Sequence, residues 1–195
     1  MSKRVIKKVA VLGSGVMGSR IACHFAGIGV QVTLLDIAPL PPEGGVLKPS
    51  DKNKIVNDAL AAAIKSNPSP VYHKDVIKRI TTGNFEDNMK DIAGCDWVIE
   101  VVVERLDIKQ KVFEQVEQFR KPGTLITSNT SGIPIHMMAE GRSDDFKKHF
   151  CGTHFFNPPR YLRLLEIIPT LHTDPEVVDF LMHYGDVFLG KETVL

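Results

Sequence analysis

The chain has 195 residues, of which 43% are hydrophobic and 24% are charged, values typical of a globular protein with one well-buried domain. Its 24 Lys and Arg residues nearly balance its 23 Asp and Glu residues, which argues against nucleic acid or an anionic membrane as the main partner. No segment has the roughly 20 apolar residues needed to span a bilayer. Three widely spaced cysteines without a CxxC pair fit a reducing compartment, so we expect a cytoplasmic protein with buried, unreactive thiols.

The first 36 residues alternate between strand and helix patterns. A valine-rich run at residues 5–12 predicts a strand, helical spacing of apolar residues at 15–26 predicts a helix, and residues 30–35 predict a second strand. This order is that of a βαβ unit with a right-handed crossover.

The remaining patterns continue this alternation. Residues 39–50, with four prolines and two glycines, predict a loop, after which Ser50 or Asp51 would cap a helix that ends near residue 66. The strongest strand signal, at 96–103, is apolar on both faces apart from Glu100, as in the interior of a parallel sheet. Further strands are predicted at 80–82, 124–128, 150–155 and 164–168, and helices at 106–119, 135–140 and 176–188, the last capped by Asp174. The sequence therefore predicts an α/β fold with a doubly wound, mainly parallel sheet in a single domain.

The motif GSGVMG follows the first strand and opens the first helix. Gly13 permits a tight turn, Gly15 lets a pyrophosphate approach the backbone, and Gly18 lets the helix pack closely on the strand. The helix N-terminus offers free N–H groups to phosphates. This is the fingerprint of a Rossmann-type dinucleotide site, although the motif alone also fits a glycine-rich turn that binds no cofactor. We expect the cofactor to contact Gly13, Gly15, Val16, Met17 and Gly18.

Asp36 ends the second strand, where a carboxylate can accept hydrogen bonds from both ribose hydroxyls of the adenosine. The same carboxylate would repel a 2′-phosphate, and Ile37 and Ala38 supply no arginine to bind one. The sequence therefore favours NAD(H) over NADP(H).

His154 lies at the end of a predicted strand, where α/β sheets place their ligands, and imidazole suits a general base near neutral pH. Glu166 lies in the apolar stretch LLEII, where a carboxylate is costly to bury unless it is paired. A His154–Glu166 pair would orient the imidazole as the carboxylate of a catalytic triad does. The alternative is a structural histidine and a glutamate that faces water.

Other polar residues have weaker signals. The run SNTSG at 128–132 could bind a polar substrate or simply cap the next helix turn. Glu104 and Lys109, taken alone, are an acidic first turn and a solvated lysine. His149 and His154 would point to opposite faces of a strand, and no third ligand accompanies them, so we assign no metal.

Four segments, in the family's order, resemble the NAD-binding domain of the L-3-hydroxyacyl-CoA dehydrogenases of fatty acid β-oxidation: VAVLGSGVMGSRIA, DWVIEVVVERLDIKQKVF, SNTSGIP and GTHFFNPPRYLRLLEIIP. SNTS followed by HFFNP is far more specific than the glycine motif. The stretches NTSGIP, AEGRSDDF and HFFNPPRYLRLLEIIP are most similar to long bacterial members, in which the dehydrogenase is joined to an enoyl-CoA hydratase-like region.

The resemblance implies oxidation of an L-3-hydroxyacyl-CoA to the 3-ketoacyl-CoA, with hydride transfer to NAD. By position, the resemblance makes His154 the catalytic base and Glu166 the carboxylate that orients it. It implies that Ser131 hydrogen-bonds the reacting oxygen and that Asn157 contacts cofactor and substrate. It also implies that Glu104 and Lys109 contact NAD.

The sequence departs from the family in two respects. The loop at 39–50 is longer than in short members and precludes transfer of CoA-binding residues. The family's helical domain, which closes the cleft and usually forms the homodimer interface, is expected to lie outside residues 1–195, leaving one NAD-binding domain with low activity alone. A non-catalytic NAD-binding module is the main alternative. A β-hydroxyacid dehydrogenase is disfavoured because the HFFNP segment is present.

Overall fold

A computed structural model describes residues 4–195 and contains one eight-stranded sheet. The strands are β1 (Lys8–Leu12), β2 (Gln31–Asp36), β3 (Ile80–Asn84), β4 (Trp97–Glu100), β5 (Leu125–Ser128), β6 (Phe150–Phe155), β7 (Leu164–Pro169) and β8 (Glu192–Val194). Their spatial order is β3-β2-β1-β4-β5-β6-β7-β8. All neighbouring pairs are parallel except β6 and β7, which are antiparallel. The predicted doubly wound, mainly parallel sheet is confirmed.

In the described part of the chain, seven α-helices connect the strands: α1 (Val16–Gly27), α2 (Lys54–Lys65), α3 (Phe85–Asn88), α4 (Leu106–Phe119), α5 (Ile135–Met138), α6 (Asp144–Lys148) and α7 (Pro175–Val187). The predicted α4 is confirmed over its full length, and Asp174 caps α7 by accepting from the Glu176 backbone N–H at 2.9 Å. The predicted cap of α2 is wrong. A 3-10 turn at Pro49–Asp51 comes first, and α2 begins only at Lys54.

The central strands are buried on both faces because helices cover each side of the sheet. Side chains alternate along β1, so that Val9 and Val11 enter one core and Ala10 and Leu12 the other. The first core lies beneath α1, α2 and α7, and within it the Trp97 ring meets those of Phe25 and Tyr184 edge-on at 5.3 and 5.9 Å. The second core lies beneath α4 and contains an aromatic cluster of Phe113, Phe146 and Phe150.

The three cysteines are buried and free, as predicted. Burial raises the pKa of Cys23 and Cys151 to about 12 and that of Cys95 to about 11, so these thiols are poor nucleophiles at neutral pH. Within residues 4–195, every helix falls short of the length and apolar character that a transmembrane span requires.

His24 on α1 makes part of the fold sensitive to pH. Its Nε2 lies 3.0 Å from the Leu189 carbonyl oxygen. Burial, followed by the charge of Lys191, lowers the pKa of His24 to about 4, against the opposing effect of that carbonyl. Between pH 6.5 and 4 the unfolded chain therefore binds a proton that the folded chain does not, so His24 lowers stability as the pH falls through this range.

We expect His24 to reduce the free energy of unfolding by about 2 kcal/mol between pH 7 and pH 5. His24→Gln keeps a donor for the Leu189 carbonyl and removes the titration. Urea unfolding of both proteins at the two pH values measures the difference. Equal losses of stability in the two proteins would exclude this effect of His24.

Candidate active site

The predicted site residues gather at one edge of the sheet, where the carboxyl ends of the parallel strands meet. The strand order reverses direction between β1 and β4, and such a switch point forms the ligand crevice of doubly wound folds. Gly13 follows β1, Asp36 ends β2, and the turns after β4 and β5 lie beside them. The fold therefore places the glycine motif at the expected crevice.

The glycine loop fits closely against the turn after β4. Gly13 has a φ of +104°, and a Cβ at this position would lie 2.6 Å from the Val101 carbonyl oxygen. A Cβ on Gly18 would collide with the Gly13 carbonyl oxygen. Gly15, by contrast, is exposed, and a Cβ at this position would meet no atom of the surrounding residues within 4 Å. Two glycines thus shape the turn, and the third leaves open space at the N-terminus of α1 for a phosphate.

Asp36 is fixed at the edge of this loop. Its Oδ2 accepts from the Ser14 backbone N–H at 2.6 Å and from the Ser14 hydroxyl at 2.5 Å, and its Oδ1 accepts from the Ile37 N–H at 2.7 Å. A carboxylate held in this way presents negative charge to a bound ribose, which agrees with the predicted preference for NAD(H).

A cavity of about 720 Å³ occupies the crevice, and its walls include Gly13, Gly15, Val16, Met17 and Asp36. The opposite wall is largely apolar, from Val101–Val103 and the exposed side of α4, and suits the flat face of a nucleobase. Another cavity, of about 630 Å³, is lined by none of the predicted site residues. The residues around the larger cavity therefore fit a dinucleotide, with open space at Gly15 and a carboxylate at Asp36.

His154 and Glu166 form a direct pair across the antiparallel strands β6 and β7, on which they are opposite each other in register. The His154 Nδ1 lies 2.7 Å from the Glu166 Oε2. Because an ionised carboxylate only accepts hydrogen bonds, Nδ1 carries the hydrogen of this contact, and in the neutral imidazole Nε2 is then left with its lone pair. Both side chains are partly exposed, at 20% and 39%, so that a ligand can reach the imidazole.

Asn157 and Ser131 lie on the loops that flank this pair, and both are exposed. The Asn157 Oδ1 accepts from the Arg20 guanidinium at 2.6 Å. Since arginine only donates, this contact leaves the Asn157 amide hydrogens available to a ligand. The turn that carries Ser131 is tied to β6 because the Phe155 N–H donates to the Asn129 Oδ1 at 2.9 Å.

Glu104 and Lys109 connect the turns after β4 and β5. The Glu104 carboxylate accepts from the Thr130 hydroxyl and from the backbone N–H groups of Ser131 and Gly132, at 3.2 and 3.1 Å for the backbone groups. Burial alone would raise the pKa of Glu104, but the Thr130 hydroxyl and the Lys109 charge lower it to about 2. Glu104 is therefore ionised at neutral pH.

Lys109 is only 1% exposed, so the expectation from the sequence alone of a solvated lysine is wrong. Its ammonium lies 2.8 Å from Glu100 and 3.2 Å from Glu104. Direct contact of Lys109 with NAD, which the resemblance implies, stays a prediction.

Sequence reasoning missed two residues of this region. In the sequence, Glu100 is only a polar interruption of an apolar strand, yet its side chain is completely buried beneath the site. Arg20 lies within the predicted first helix, and nothing in the sequence indicates its hydrogen bond to Asn157. No spacing rule reveals the partner of either residue, because Lys109 comes from helix α4 and Asn157 from the loop after β6. Within residues 4–195, no group of three or more His, Cys, Asp and Glu side chains could hold a metal ion.

The fold and the glycine loop define a dinucleotide-binding domain of the Rossmann class. Residues 8–195 match the family described as "3-hydroxyacyl-CoA dehydrogenase, NAD binding domain". The chain belongs to this family, and NAD is its cofactor.

Known relatives agree with this membership. The chain is 50% identical over 196 residues to a probable 3-hydroxyacyl-CoA dehydrogenase of Bacillus subtilis, and 42% identical over 190 residues to a putative fatty acid oxidation complex trifunctional enzyme of Rickettsia felis. Each match covers 97% of the chain but 25% of the relative. The crystal structure of the Escherichia coli 3-hydroxybutyryl-CoA dehydrogenase superposes with a TM-score of 0.74 at 29% identity, over 97% of this chain and 38% of that one. The chain thus spans about a quarter of these two sequence relatives.

Proposed function

We propose that this domain takes part in the NAD-dependent oxidation of an L-3-hydroxyacyl-CoA to the 3-ketoacyl-CoA, as a step of fatty acid β-oxidation. The observation that carries the proposal is the His154–Glu166 pair, whose nitrogen and oxygen atoms lie 2.7 Å apart at the edge of the sheet that also holds the glycine loop. The names of the Bacillus and Rickettsia relatives support the same reaction.

His154 acts as the general base. With Nδ1 bound to Glu166, the free Nε2 takes the proton of the substrate hydroxyl, and the negative charge of Glu166 stabilises the imidazolium that forms. NAD, when bound, would supply the acceptor for the hydride that leaves the carbon bearing this hydroxyl. The hydroxyl carbon thereby loses a proton from its oxygen and a hydride, and becomes a carbonyl.

The other predicted residues hold the reactants. The Ser131 hydroxyl and the Asn157 amide hydrogens donate to the reacting oxygen and to the cofactor, and Glu104 contacts the nicotinamide ribose side of the site. Asp36 binds the hydroxyls of the adenosine ribose. Lys109, beside Glu104, is the other residue of this turn region assigned to NAD.

Further assignments for the whole protein are part of the proposal. Residues 1–195 are its NAD-binding domain, and the helical domain of the family completes the cleft and forms a homodimer. The substrate is the partner, and no nucleic acid, membrane or metal is required. A cytoplasmic location is supported by three buried free thiols.

The proposal is tested by titrating the chain with NADH, followed by fluorescence, and by assaying a version that carries the family's helical domain with acetoacetyl-CoA. We expect NADH binding by the chain and oxidation of NADH by the extended protein. If the extended protein binds NADH but never oxidises it with any 3-ketoacyl-CoA, the domain is a non-catalytic NAD-binding module and the proposal is wrong.

A further inference from the structure

Glu100 is the last residue of β4, and its side chain is fully buried at the centre of the sheet. A buried carboxylate is costly unless charged and polar groups satisfy it. Here the Oε1 atom accepts from the Lys109 ammonium at 2.8 Å and from the Val102 N–H at 2.6 Å, and the Oε2 atom accepts from the Ser128 hydroxyl at 2.5 Å. Val102 lies in the turn after β4, Lys109 lies on α4, and Ser128 is the last residue of β5.

Lys109 extends these contacts towards the surface. Its ammonium has three acceptors, namely Glu100, the Val102 carbonyl at 3.3 Å and the Glu104 Oε2 at 3.2 Å. Glu104 in turn accepts from the backbone N–H groups of Ser131 and Gly132. One chain of charged contacts thus runs from the buried end of β4 to the exposed turn that carries Ser131.

We propose that Glu100 is a positioning residue, which acts through Lys109 and Ser128 to hold Glu104 and the Ser131 turn in the geometry that NAD and substrate require. Glu100 cannot touch a ligand, because none of its surface is exposed. It binds both turns directly, Val102 after β4 and Ser128 at the end of β5, and fixes their separation. This inference rests on the proposed function only for the identity of the ligands.

Glu100→Gln tests the role of the charge. Glutamine has the same shape and can keep hydrogen bonds to Lys109, Val102 and Ser128, but Glu104 then becomes the only carboxylate beside Lys109. We expect Lys109 to move towards Glu104 and to draw this carboxylate away from the backbone N–H groups of Ser131 and Gly132. The amide hydrogens of Ser131 and Gly132 should then exchange about tenfold faster by NMR in the ligand-free chain, and the Kd for NADH should rise about tenfold.

Asp96→Asn is the matched control. Asp96 precedes the same strand, and its carboxylate accepts from the backbone N–H groups of Lys7 and Lys8 at 2.7 and 2.9 Å, at the opposite edge of the sheet. We expect this variant to lower the midpoint of urea unfolding without changing the rate of amide hydrogen exchange at Ser131 or the Kd for NADH. A similar change in both variants would mean that Glu100 has only a general structural role.

A double-mutant cycle separates action through Glu104 from independent effects. In a Glu104→Gln background, Glu100→Gln should raise the Kd for NADH by less than twofold. A further tenfold rise in this Kd would overturn the proposal. If Glu100→Gln does not fold, Glu100→Gln combined with Lys109→Met removes both buried charges and takes its place. NADH binding by that protein within twofold of the unmodified chain would equally overturn it.

The two readouts keep this inference distinct from the proposed function. Faster exchange at Ser131 and Gly132, together with no NADH binding by the unmodified chain, would reject the function and retain the positioning role. NADH binding by the unmodified chain, together with unchanged exchange in Glu100→Gln, would reject the positioning role and retain the function.

Discussion

His154→Asn is expected to reduce turnover of 3-hydroxyacyl-CoA by about 10²–10⁴-fold, the usual contribution of a general base. The asparagine amide can occupy the place of the imidazole Nδ1 and keep a hydrogen bond to Glu166, which accepts from Nδ1 at 2.7 Å. It has no basic nitrogen in place of Nε2, so the substrate proton has no acceptor. The measurement is steady-state kinetics in the version that carries the family's helical domain.

The control for this variant is cofactor binding, since His154 is not part of the wall of the 720 Å³ cavity. We expect the Kd for NADH to stay within about twofold of the unmodified protein. Glu166→Gln should cause a smaller loss of turnover, and adding it to His154→Asn should cause no further loss, because the carboxylate acts through the imidazole. A His154→Asn protein that keeps more than a tenth of the rate would show that another group is the base.

A large effect on cofactor binding is expected when Asp36 is replaced. Asp36→Ala removes the carboxylate proposed to bind the ribose hydroxyls, and hydrogen bonds to a charged group contribute about 1.5–3 kcal/mol each. We therefore expect the Kd for NADH to rise at least about 10–100-fold, the effect of losing one such hydrogen bond. The Kd for NADPH should rise less, because the repulsion of its 2′-phosphate disappears with the charge. Fluorescence titration with both nucleotides measures the two effects.

Ser14→Ala separates ribose binding from the anchoring of the loop. This variant loses the 2.5 Å hydrogen bond from the Ser14 hydroxyl but keeps the carboxylate and its bond to the Ser14 N–H. We expect a change of less than about threefold in the Kd for NADH. A loss as large as that of Asp36→Ala would indicate that Asp36 acts on the loop and not on the ribose.

The elements that could be predicted from sequence are those whose pattern is local. The α4 helix has an apolar stripe over its whole length, and Asp174 caps α7 from the position next to its proline. The predicted strand at 96–103 is longer than β4, because the Glu100 side chain captures the Val102 N–H and the chain turns. Similarly, Asn53 precedes α2 without capping it, because its Oδ1 accepts from Asn84.

Some missed elements did have local signals. Ser143 followed by two aspartates is an N-cap pattern, and Ser143 does cap α6 by accepting from the Phe146 N–H at 3.2 Å. In the site, the predicted pairing of His154 with Glu166 agrees with their observed contact, since a carboxylate in an apolar strand needs a partner. The buried Glu100–Lys109 pair could not be predicted, because a lysine on an amphipathic helix has no local sign of burial.

The antiparallel pairing of β6 and β7 links the alignment of the proposed catalytic pair to folding itself. Leu165 and Ile167 are buried, and Glu166 between them points to the other face. A slip of β7 by one residue would turn both aliphatic side chains towards solvent and drive the carboxylate into the core. Misaligned chains are therefore unstable chains, so natural selection for a folded protein also preserves the alignment of His154 with Glu166.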